Sequence, residues 1–225
     1  MTNKVINPRS VRFSDAPWYH PKIDIMIGGA GGIGSWLCFF LGRQESNIYL
    51  YDDDTVDETN LGGQLYANSH IGLNKAQATS NIVKEFTAMD VELMGKYNKD
   101  SMSNPVVFAC FDNMEARKIM FENWCSVPNK QIFIDGRMLA ENFQVIAVTP
   151  SNIERYLKEE LFEDSEVEEE RCSMKATSHC GAMIAGYMVS VFNNYVANFK
   201  QKQNYREVPF KMYYDLPTLT NTIKI

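Results

Sequence analysis

A glycine-rich turn between two apolar runs constrains this fold more than any other feature of the sequence. The run "IDIMIG" (23–28) is typical of a short buried strand, and "IGSWLCFFLGR" (33–43) has apolar residues at helical spacing. The turn between them, from Gly29 to Gly34, matches the pattern G-x-G-x-x-G. Because glycine has no Cβ atom, such a turn lets the backbone approach a phosphate at the N-terminus of a helix. The pattern therefore predicts a nucleotide-binding strand–turn–helix unit.

Strand and helix patterns alternate over the first 136 residues. Apolar runs at 47–52, 105–111 and 131–136 predict strands, whereas 74–89 and 113–125 predict helices. This alternation predicts right-handed βαβ units and an α/β fold with a doubly wound, Rossmann-like, mostly parallel sheet. The residues expected to face inward on the helix at 74–89 are Ala76, Ile82, Val83 and Phe86.

The pattern changes after residue 137. The segment "ENFQVIAVTP" (141–150) alternates with period two and predicts an antiparallel strand, and 178–199 predicts a long, mostly apolar helix. The segment 151–177 is acidic in its first part, has no sustained apolar face, and is expected to be a mobile surface crossover. The C-terminal tail predicts one or two edge strands. Together with an N-terminal arm over 1–22, these elements are expected to form a single domain over 1–225.

Charge and cysteine content argue against several classes of protein. A net charge of −6 disfavours binding to a nucleic-acid backbone, which requires a basic face. The five cysteines include no C-x-x-C pair, so neither a disulfide framework nor a structural zinc site is expected. The N-terminus lacks the apolar core of a signal peptide, and the longest apolar stretch, 181–192, is too short to span a bilayer. A cytoplasmic protein without membrane contact is expected.

The residues after the second strand distinguish between NAD and ATP as the nucleotide. Asp52 closes that strand, near the spacing from the glycine turn at which a carboxylate binds a ribose hydroxyl. An irregular polar segment follows, then Lys75 at a helix start, and later Asp112 and Asn113 after a buried strand. Since the carboxyl ends of parallel strands meet at one edge, these groups are expected to converge. A lysine for phosphate oxygens and a carboxylate for Mg²⁺ suit ATP better than a nicotinamide nucleotide.

Five motifs, taken in order, resemble those of the ThiF/MoeB/HesA adenylyltransferases, bacterial relatives of ubiquitin-activating enzymes. They are "GAGGIGS", "YDDDTVDETNLGGQ", "IGLNKA", "ACFDNMEAR" and "RC…AMIAG". The likeness covers roughly residues 23–195. It implies ATP-dependent activation of the C-terminal carboxylate of a small ubiquitin-like or sulfur-carrier protein ending in Gly-Gly. The product would be an acyl-adenylate, formed with release of pyrophosphate by a protein that is usually a homodimer.

The resemblance also implies roles for individual residues. Asp112 would bind Mg²⁺, Lys75 would neutralise the phosphates, and Asp52 would bind the ribose hydroxyls with Asp54 as a supporting acid. Lys75 and Asp112 would thus be the catalytic pair. The remaining positions implied for nucleotide contact are Gly29, Gly31, Gly32, Gly34, Asn60, Gln64 and Asn113.

One catalytic position departs from the family pattern. The family's loop reads Asn-Leu-Asn-Arg-Gln, in which arginine stabilises charge on the phosphates, whereas this sequence has Gly62 and Gly63. Losing a preorganised cation can lower the rate by a factor on the order of 10²–10³. Another arginine could substitute: Arg43, or Arg9 or Arg12, since the family supplies one from the partner subunit's N-terminal region. Alternatively, the glycine pair makes room for a bulkier substrate or another approach of the acyl group, or the protein binds nucleotide without turnover.

Cys172 matches the cysteine that, in some family members, accepts the activated acyl group or sulfur. Arg171 or Lys175 beside it would favour the thiolate, although an ordinary loop cysteine is the alternative. Cys180 is expected in the core, and Arg117 is expected to make an ion pair within its own helix. The alternatives to an adenylyltransferase are a non-catalytic nucleotide-binding scaffold and an NAD-dependent oxidoreductase.

Overall fold

The computed structural model describes residues 8–162, 177–200 and 204–225. The strands within them are β1 (Asp24–Gly28), β2 (Asn47–Tyr51), β3 (Val91–Gly95), β4 (Val106–Ala109), β5 (Ile132–Leu139), β6 (Asn142–Val148), β7 (Lys211–Asp215) and β8 (Thr220–Lys224). The α-helices are α1 (Gly34–Arg43), α2 (Lys75–Thr87), α3 (Met114–Cys125), α4 (Ile153–Glu159) and α5 (Ser178–Lys200). Among these described helices, none combines the length and the hydrophobicity needed to cross a membrane.

All eight strands lie in one mixed sheet, in the order β3-β2-β1-β4-β5-β6-β7-β8. Strands β1 to β5 are parallel to one another, and the sheet continues with antiparallel pairs of β5 with β6, β6 with β7, and β7 with β8. Helices α1, α2 and α5 cover one face, where Leu37, Val83 and Met188 join the same core cluster. Helices α3 and α4 cover the other face, where Trp124 packs with Tyr156. The fold is the predicted doubly wound, Rossmann-like α/β fold with antiparallel C-terminal strands.

Strands β1, β2 and β4 end at the same level and define what we call the carboxyl edge. Strand β1 lies between the other two, and its last residue, Gly28, is in register with Tyr51 of β2 and Ala109 of β4. The chain leaves β1 toward β2 on one side and later returns to β4 on the other. Ligands of open α/β sheets bind at such a switch point.

Three local features differ from the sequence pattern. Helix α4 begins within the segment expected to be mobile, and it buries Tyr156 completely; residues 163–176 of that segment lie outside the described residues. Phe86, expected to face inward, is 53% exposed and packs edge-on against Phe39. The sequence pattern did not predict strand β3, because this edge strand, "VELMG", is largely exposed and carries a glutamate.

The described part of the N-terminal arm, residues 8–22, packs at the edge opposite the carboxyl edge. The Tyr19 hydroxyl lies 2.9 Å from Glu45 Oε2, and the Lys22 N–H donates to the Glu45 carbonyl. Glu45 belongs to the turn that leads from α1 into β2. Because α1 runs from the carboxyl edge to the far edge, the arm and this turn both lie far from the glycine loop.

Candidate functional site

The glycine loop at the end of β1 owes its shape to two close approaches. Gly29 has a φ of +92°, and a Cβ atom there would lie 2.9 Å from the Cys110 carbonyl oxygen. At Gly34, the first residue of α1, a Cβ atom would lie 1.8 Å from the Gly29 carbonyl oxygen. By contrast, a Cβ atom at Gly31 would meet nothing within 4 Å. The loop is therefore tight on its inner side and open on its outer side.

Asp52 follows β2 and lies directly against this loop. Its Oδ2 atom accepts a hydrogen bond from the Ala30 N–H at 2.7 Å, and its Oδ1 atom accepts one from the Asp54 N–H at 2.9 Å. Burial raises the pKa of Asp52 above its ordinary value, although these two N–H donors and the Lys75 ammonium oppose the shift. The predicted ribose carboxylate is therefore held at the carboxyl edge by the backbone of the glycine loop.

Lys75 is brought to the same place by the start of α2. Its ammonium lies 2.9 Å from Asp54 Oδ2, and its own N–H donates to the Asp54 carbonyl at 2.8 Å. Asn74 caps the helix through the Gln77 N–H and also donates to the Asp52 carbonyl at 3.2 Å. The Lys75 side chain is only 12% exposed, whereas that of Asp54 is 69% exposed. The lysine side chain is thus largely shielded from solvent, whereas the acid it pairs with is exposed, so a ligand anion can take the place of that acid.

Asp112 and Asn113 follow β4 on the other side of β1. Asn113 caps α3, since its Oδ1 atom accepts from the Ala116 N–H at 2.8 Å, and its Nδ2 atom donates to Asp112 Oδ1 at 3.3 Å. Asp112 is exposed, and no cationic side chain of the described residues pairs with it. An exposed carboxylate with remaining acceptor capacity fits Mg²⁺, which proteins usually bind through one or two carboxylates plus substrate phosphates.

The loop that contains the glycine pair is built on a short 3₁₀ turn, Glu58–Asn60. Asn60 Oδ1 accepts from the Asp57 N–H at 3.1 Å, and the Asn60 carbonyl accepts from the Gln64 N–H at 2.9 Å. Gln64 Oε1 is buried without a hydrogen-bond partner among the described residues. Asn60 and Gln64, the two residues predicted to line the nucleotide, therefore lie in one compact loop.

The backbone does not require glycine at positions 62 and 63. Neither residue has a positive φ, and a Cβ atom at Gly62 would meet nothing within 4 Å. A side chain at Gly62 would therefore fit, and the backbone dihedrals of Gly63 also suit an L-residue. The absence of the family's arginine is a chemical difference that loop conformation does not impose.

Sequence reasoning missed two hydroxyl groups that fasten this loop to the glycine loop. The Tyr66 hydroxyl donates to the Ala30 carbonyl at 2.5 Å. The Ser35 hydroxyl donates to the Gly31 carbonyl at 2.7 Å and accepts from the Leu65 N–H at 3.1 Å. Burial raises the pKa of Tyr66, so its hydroxyl remains a donor over the physiological range. In the sequence, the one signal for this role is that Tyr66 lies directly after the glycine-pair loop.

The three candidate arginines do not lie at the carboxyl edge of their own chain. Arg43 is at the last turn of α1, where its guanidinium stacks on the rings of Phe39 and Phe86 at 4.9 and 5.8 Å from their centroids. Arg9 and Arg12 belong to the arm at that same far edge. The structure thus places Arg43 and the arm away from the glycine-pair loop of the same chain, and a catalytic role for Arg9 or Arg12 stays a prediction.

Arg117 forms a buried ion pair with another element, which corrects the expectation of a pair within its own helix. Its guanidinium bonds to Asp135 on β5 and donates to the Phe111 carbonyl. The Asp135 carboxylate also accepts from Arg137 at 2.7 Å and from the Tyr156 hydroxyl at 2.9 Å. We call this network the buried charge cluster; its members are Arg117, Asp135, Arg137, Tyr156, Glu160 and Lys211.

The pKa of Asp135 reflects this pairing. Burial alone would raise it, but the guanidiniums of Arg117 and Arg137 hold the pKa of this carboxyl below its ordinary value. The carboxylate is therefore charged and fully paired inside the protein. The cluster meets the carboxyl edge at the Phe111 carbonyl, one residue before Asp112.

The cysteine predictions have different outcomes. Cys172, with Arg171 and Lys175, lies outside the described residues, so its role stays a prediction. Cys180 is fully buried at the start of α5, as expected, and burial raises its pKa to about 11. Gly181, the next residue, packs so closely that a Cβ atom there would lie 2.3 Å from the Gly32 carbonyl oxygen. Helix α5 therefore begins against the glycine loop.

Comparison with protein families gives a match to the model described as "ThiF family" over residues 21–221. Among curated proteins, none matches this chain. The match to the family covers the glycine loop, the glycine-pair loop and Asp112 in one alignment.

Solved structures with a similar fold include E. coli MccB and PaaA. One structure of E. coli MccB has a TM-score of 0.69 and 13% identity, with coverage of 99% of this chain and 70% of that one. E. coli MccB with ATP gives 0.64 and 13%, and selenomethionine PaaA gives 0.63 and 14%, each with coverage of 90% of this chain. This chain spans 63% of the length of the latter two chains. Likeness at such low identity shows a common fold.

Proposed function

The chain belongs to the ThiF family, and on that premise we propose that it is an ATP-dependent adenylyltransferase. The observation that carries the proposal is the meeting of the glycine loop, Asp52 and Lys75 at one edge of the sheet, with Asp112 after the adjacent strand on that edge. An anion-binding loop, a ribose-type carboxylate, a lysine and a metal-type carboxylate are the groups that Mg-ATP requires. NAD would leave Lys75 and Asp112 without a function.

In the proposed complex each group has one task. The glycine loop would bind the phosphates through its N–H groups at Gly31, Gly32 and Gly34, with Gly29 allowing the close turn. Asp52 would accept hydrogen bonds from the ribose hydroxyls, because its carboxylate has lone pairs beyond those bonded to Ala30 and Asp54. Asn60 and Gln64 would line the nucleotide; the buried, unpartnered Oε1 of Gln64 is an acceptor suited to an amino or hydroxyl group.

Lys75 and Asp112 would support the chemical step. An incoming carboxylate oxygen attacks the α-phosphorus, a new acyl-oxygen-to-phosphorus bond forms, and the bond to pyrophosphate breaks, with its electrons leaving on pyrophosphate. Lys75 would move from Asp54 to a phosphate oxygen and neutralise charge there. Asp112 would hold Mg²⁺, which supplies further neutralisation of the phosphates when bound. Asn113 would act indirectly, by capping α3 and donating to Asp112.

We propose that the acyl substrate is the C-terminal carboxylate of a small ubiquitin-like or sulfur-carrier protein ending in Gly-Gly. A Cβ atom at Gly62 would meet nothing within 4 Å, so this loop leaves room for the bulky approach of such a carrier. E. coli MccB, which shares this fold, has been solved in complex with N-formylated MccA, and a small protein or peptide substrate is proposed here by analogy.

We further propose a homodimer in which the arm of one subunit reaches the carboxyl edge of the other. Arg9 and Arg12 lie at the far edge of their own chain, so either could provide the missing cation only in trans. The proposal is tested by mixing Arg9→Ala/Arg12→Ala subunits with Asp112→Ala subunits. Restored activity in the mixture supports a shared site, and activity no greater than the sum of the two variants argues against it.

Pyrophosphate exchange into ATP tests the proposed activity directly. Purified protein is incubated with Mg-ATP, labelled pyrophosphate and a panel of carriers ending in Gly-Gly, and exchange is expected with at least one of them. Asp112→Ala should lower the exchange rate by a factor on the order of 10²–10³. Asp90→Ala, which removes an exposed acid from the Lys84–Asp90 surface pair, should leave it unchanged. Parallel titrations with ATP and NADH separate the proposal from an oxidoreductase, which would prefer NADH.

A nucleotide-binding scaffold is the second candidate, because none of the three candidate arginines lies at the carboxyl edge of its own chain. It predicts ATP binding without pyrophosphate exchange. Gly63→Arg distinguishes the two, since its backbone dihedrals suit an L-residue. If exchange is slow for want of this cation, the variant should raise the rate by about 10-fold or more. A scaffold that lacks other requirements would remain inactive with the arginine restored.

A further inference from the structure

Three successive carbonyl groups of the glycine loop point into the protein. The Ala30 carbonyl accepts from the Tyr66 hydroxyl, and the Gly31 carbonyl accepts from the Ser35 hydroxyl and the Ser35 N–H. The Gly32 carbonyl packs on the backbone of Gly181 at the start of α5. Each contact comes from a different part of the chain: the loop after the glycine pair, the first turn of α1, and α5.

The direction of these carbonyls fixes the direction of the next N–H groups. In a trans peptide unit, the C=O bond and the N–H bond point in opposite directions. The N–H groups of Gly31, Gly32 and Ile33 therefore point away from the three contacts. Within the described part of the chain, the N–H groups of Gly31 and Gly32 donate no hydrogen bond, and Gly31 faces open space. Such a run of free N–H groups forms a concave site for an anion.

Of the two side chains that bond to the glycine-loop carbonyls, Tyr66 lies farther away in the sequence than Ser35. Its hydroxyl lies 2.5 Å from the Ala30 carbonyl, 3.3 Å from the Lys75 carbonyl and 3.1 Å from the Thr79 hydroxyl. The Ala30 carbonyl is the nearest acceptor, and when the single hydroxyl hydrogen is donated to it, Thr79 is the donor to Tyr66. Thr79 lies one turn beyond Lys75 on α2 and is itself buried. The chain of hydrogen bonds thus links the lysine helix, the glycine-pair loop and the glycine loop.

We propose that Tyr66 is a positioning residue that, through its hydroxyl, orients the glycine-loop N–H groups for the phosphates of the nucleotide, with Ser35 acting in the same way one peptide further on. The inference rests on the proposed function, because it takes the bound anion to be a nucleotide phosphate. Without the Tyr66 hydroxyl, no group in the described part of the chain donates to the Ala30 carbonyl. The Ala30–Gly31 peptide is then free to rotate and to present its carbonyl oxygen, in place of an N–H group, to the phosphates.

The test compares Mg-ATP with adenosine, which lacks the phosphates. Mg-ATP and adenosine are titrated by calorimetry into the full chain and into Tyr66→Phe, which retains the ring and removes the hydroxyl. The dissociation constant for Mg-ATP is expected to rise roughly 3- to 10-fold, the effect of one hydrogen bond, while that for adenosine stays within about 2-fold. Tyr213→Phe is the matched control, since it removes a hydroxyl that bonds to Asn142 in the antiparallel strands, far from the loop. It should change neither constant.

Ser35→Ala provides a second, independent variant. It is expected to weaken Mg-ATP binding more than adenosine binding, but by a smaller factor than Tyr66→Phe, because the Gly31 carbonyl still accepts from the Ser35 N–H. If both variants bind Mg-ATP as tightly as the unaltered protein, or lose ATP and adenosine equally, Tyr66 has only a structural role and the inference is wrong. If the unaltered protein binds adenosine and ATP with equal affinity, or neither, the proposed function itself fails. The two failures are therefore distinguishable.

Discussion

Two groups of charged side chains meet at the Phe111 backbone, and they differ in where their partners are. In the buried charge cluster, Asp135 is fully buried and bonded to two guanidiniums and a hydroxyl. At the carboxyl edge, Asp112 is exposed without a cation from the described residues, and Lys75 pairs with an acid that is 69% exposed. When charges find all their partners inside the protein, loss of one partner destabilises the fold, whereas charges left with spare capacity at a switch point are available to a ligand.

The largest effect should come from breaking the buried pair. Asp135→Asn leaves the Arg117 guanidinium buried without its counter-ion, and such a loss typically costs about 3–5 kcal/mol of unfolding free energy. Asp112→Asn is the matched control and should change that free energy by less than about 0.5 kcal/mol, because this carboxylate is exposed. Urea denaturation of both variants measures the difference. Equal stability of the two would mean that the distinction between the two groups is wrong.

The reverse pattern should appear in activity. Asp112→Ala and Lys75→Ala are each expected to lower the pyrophosphate-exchange rate by a factor on the order of 10²–10³, since each removes charge stabilisation from the phosphates. Both variants should remain folded, with circular dichroism spectra like that of the unaltered protein. Normal exchange in either variant would remove that residue from the proposed site.

Two glycines on α5 allow a similar comparison of packing, because one contacts the glycine loop and the other faces open space. A Cβ atom at Gly181 would overlap the Gly32 carbonyl of the glycine loop, so Gly181→Ala should cost about 1–3 kcal/mol and weaken ATP binding. At Gly186, on the same helix, a Cβ atom would meet nothing within 4 Å, so Gly186→Ala should stabilise the protein by up to about 1 kcal/mol. Thermal unfolding compares the two. A stable, ATP-binding Gly181→Ala variant would show that the loop tolerates movement there.

The smallest effect concerns pH. The folded-state pKa of Asp135 is held below its unfolded value, so the stabilisation from this carboxylate is present above about pH 4 and is lost as the pH falls through the folded-state pKa. One such group contributes at most about 1.4 kcal/mol per pH unit. The unfolding free energy of Asp135→Asn, measured from pH 6 down to pH 3, should therefore fall less steeply than that of the unaltered protein. A parallel fall in both would contradict the pairing described here.

The parallel half of the fold followed from the sequence because its signals are local. The buried strands β1, β2, β4 and β5 are apolar runs, and the glycine spacing identifies the turn after β1. Strand β3 and helix α4 were missed because each depends on tertiary contacts. The first pairs only with β2 at the sheet edge, and the second is anchored by a single buried ring, Tyr156.

The site residues likewise divide into those with a local sequence signal and those that depend on tertiary contacts. Asp52, Lys75 and Asp112 could be proposed from the sequence because each marks the end of a strand or the start of a helix. The partner of Arg117 could not be predicted, since Asp135 lies on another element and becomes its neighbour only in the folded sheet. Tyr66 was missed for the same reason, because its acceptor, the Ala30 carbonyl, is a backbone atom 36 residues away in the chain.

A crystal structure with Mg²⁺ and a non-hydrolysable ATP analogue tests the central claim most directly. The expected result is one nucleotide at the carboxyl edge, with its phosphates on the glycine loop, its ribose on Asp52 and its Mg²⁺ on Asp112. The Lys75 ammonium should have left Asp54, now 2.9 Å away, for a phosphate oxygen. A nucleotide bound elsewhere, or one that reaches Lys75 but not Asp112, would contradict the claim that these groups form a single site.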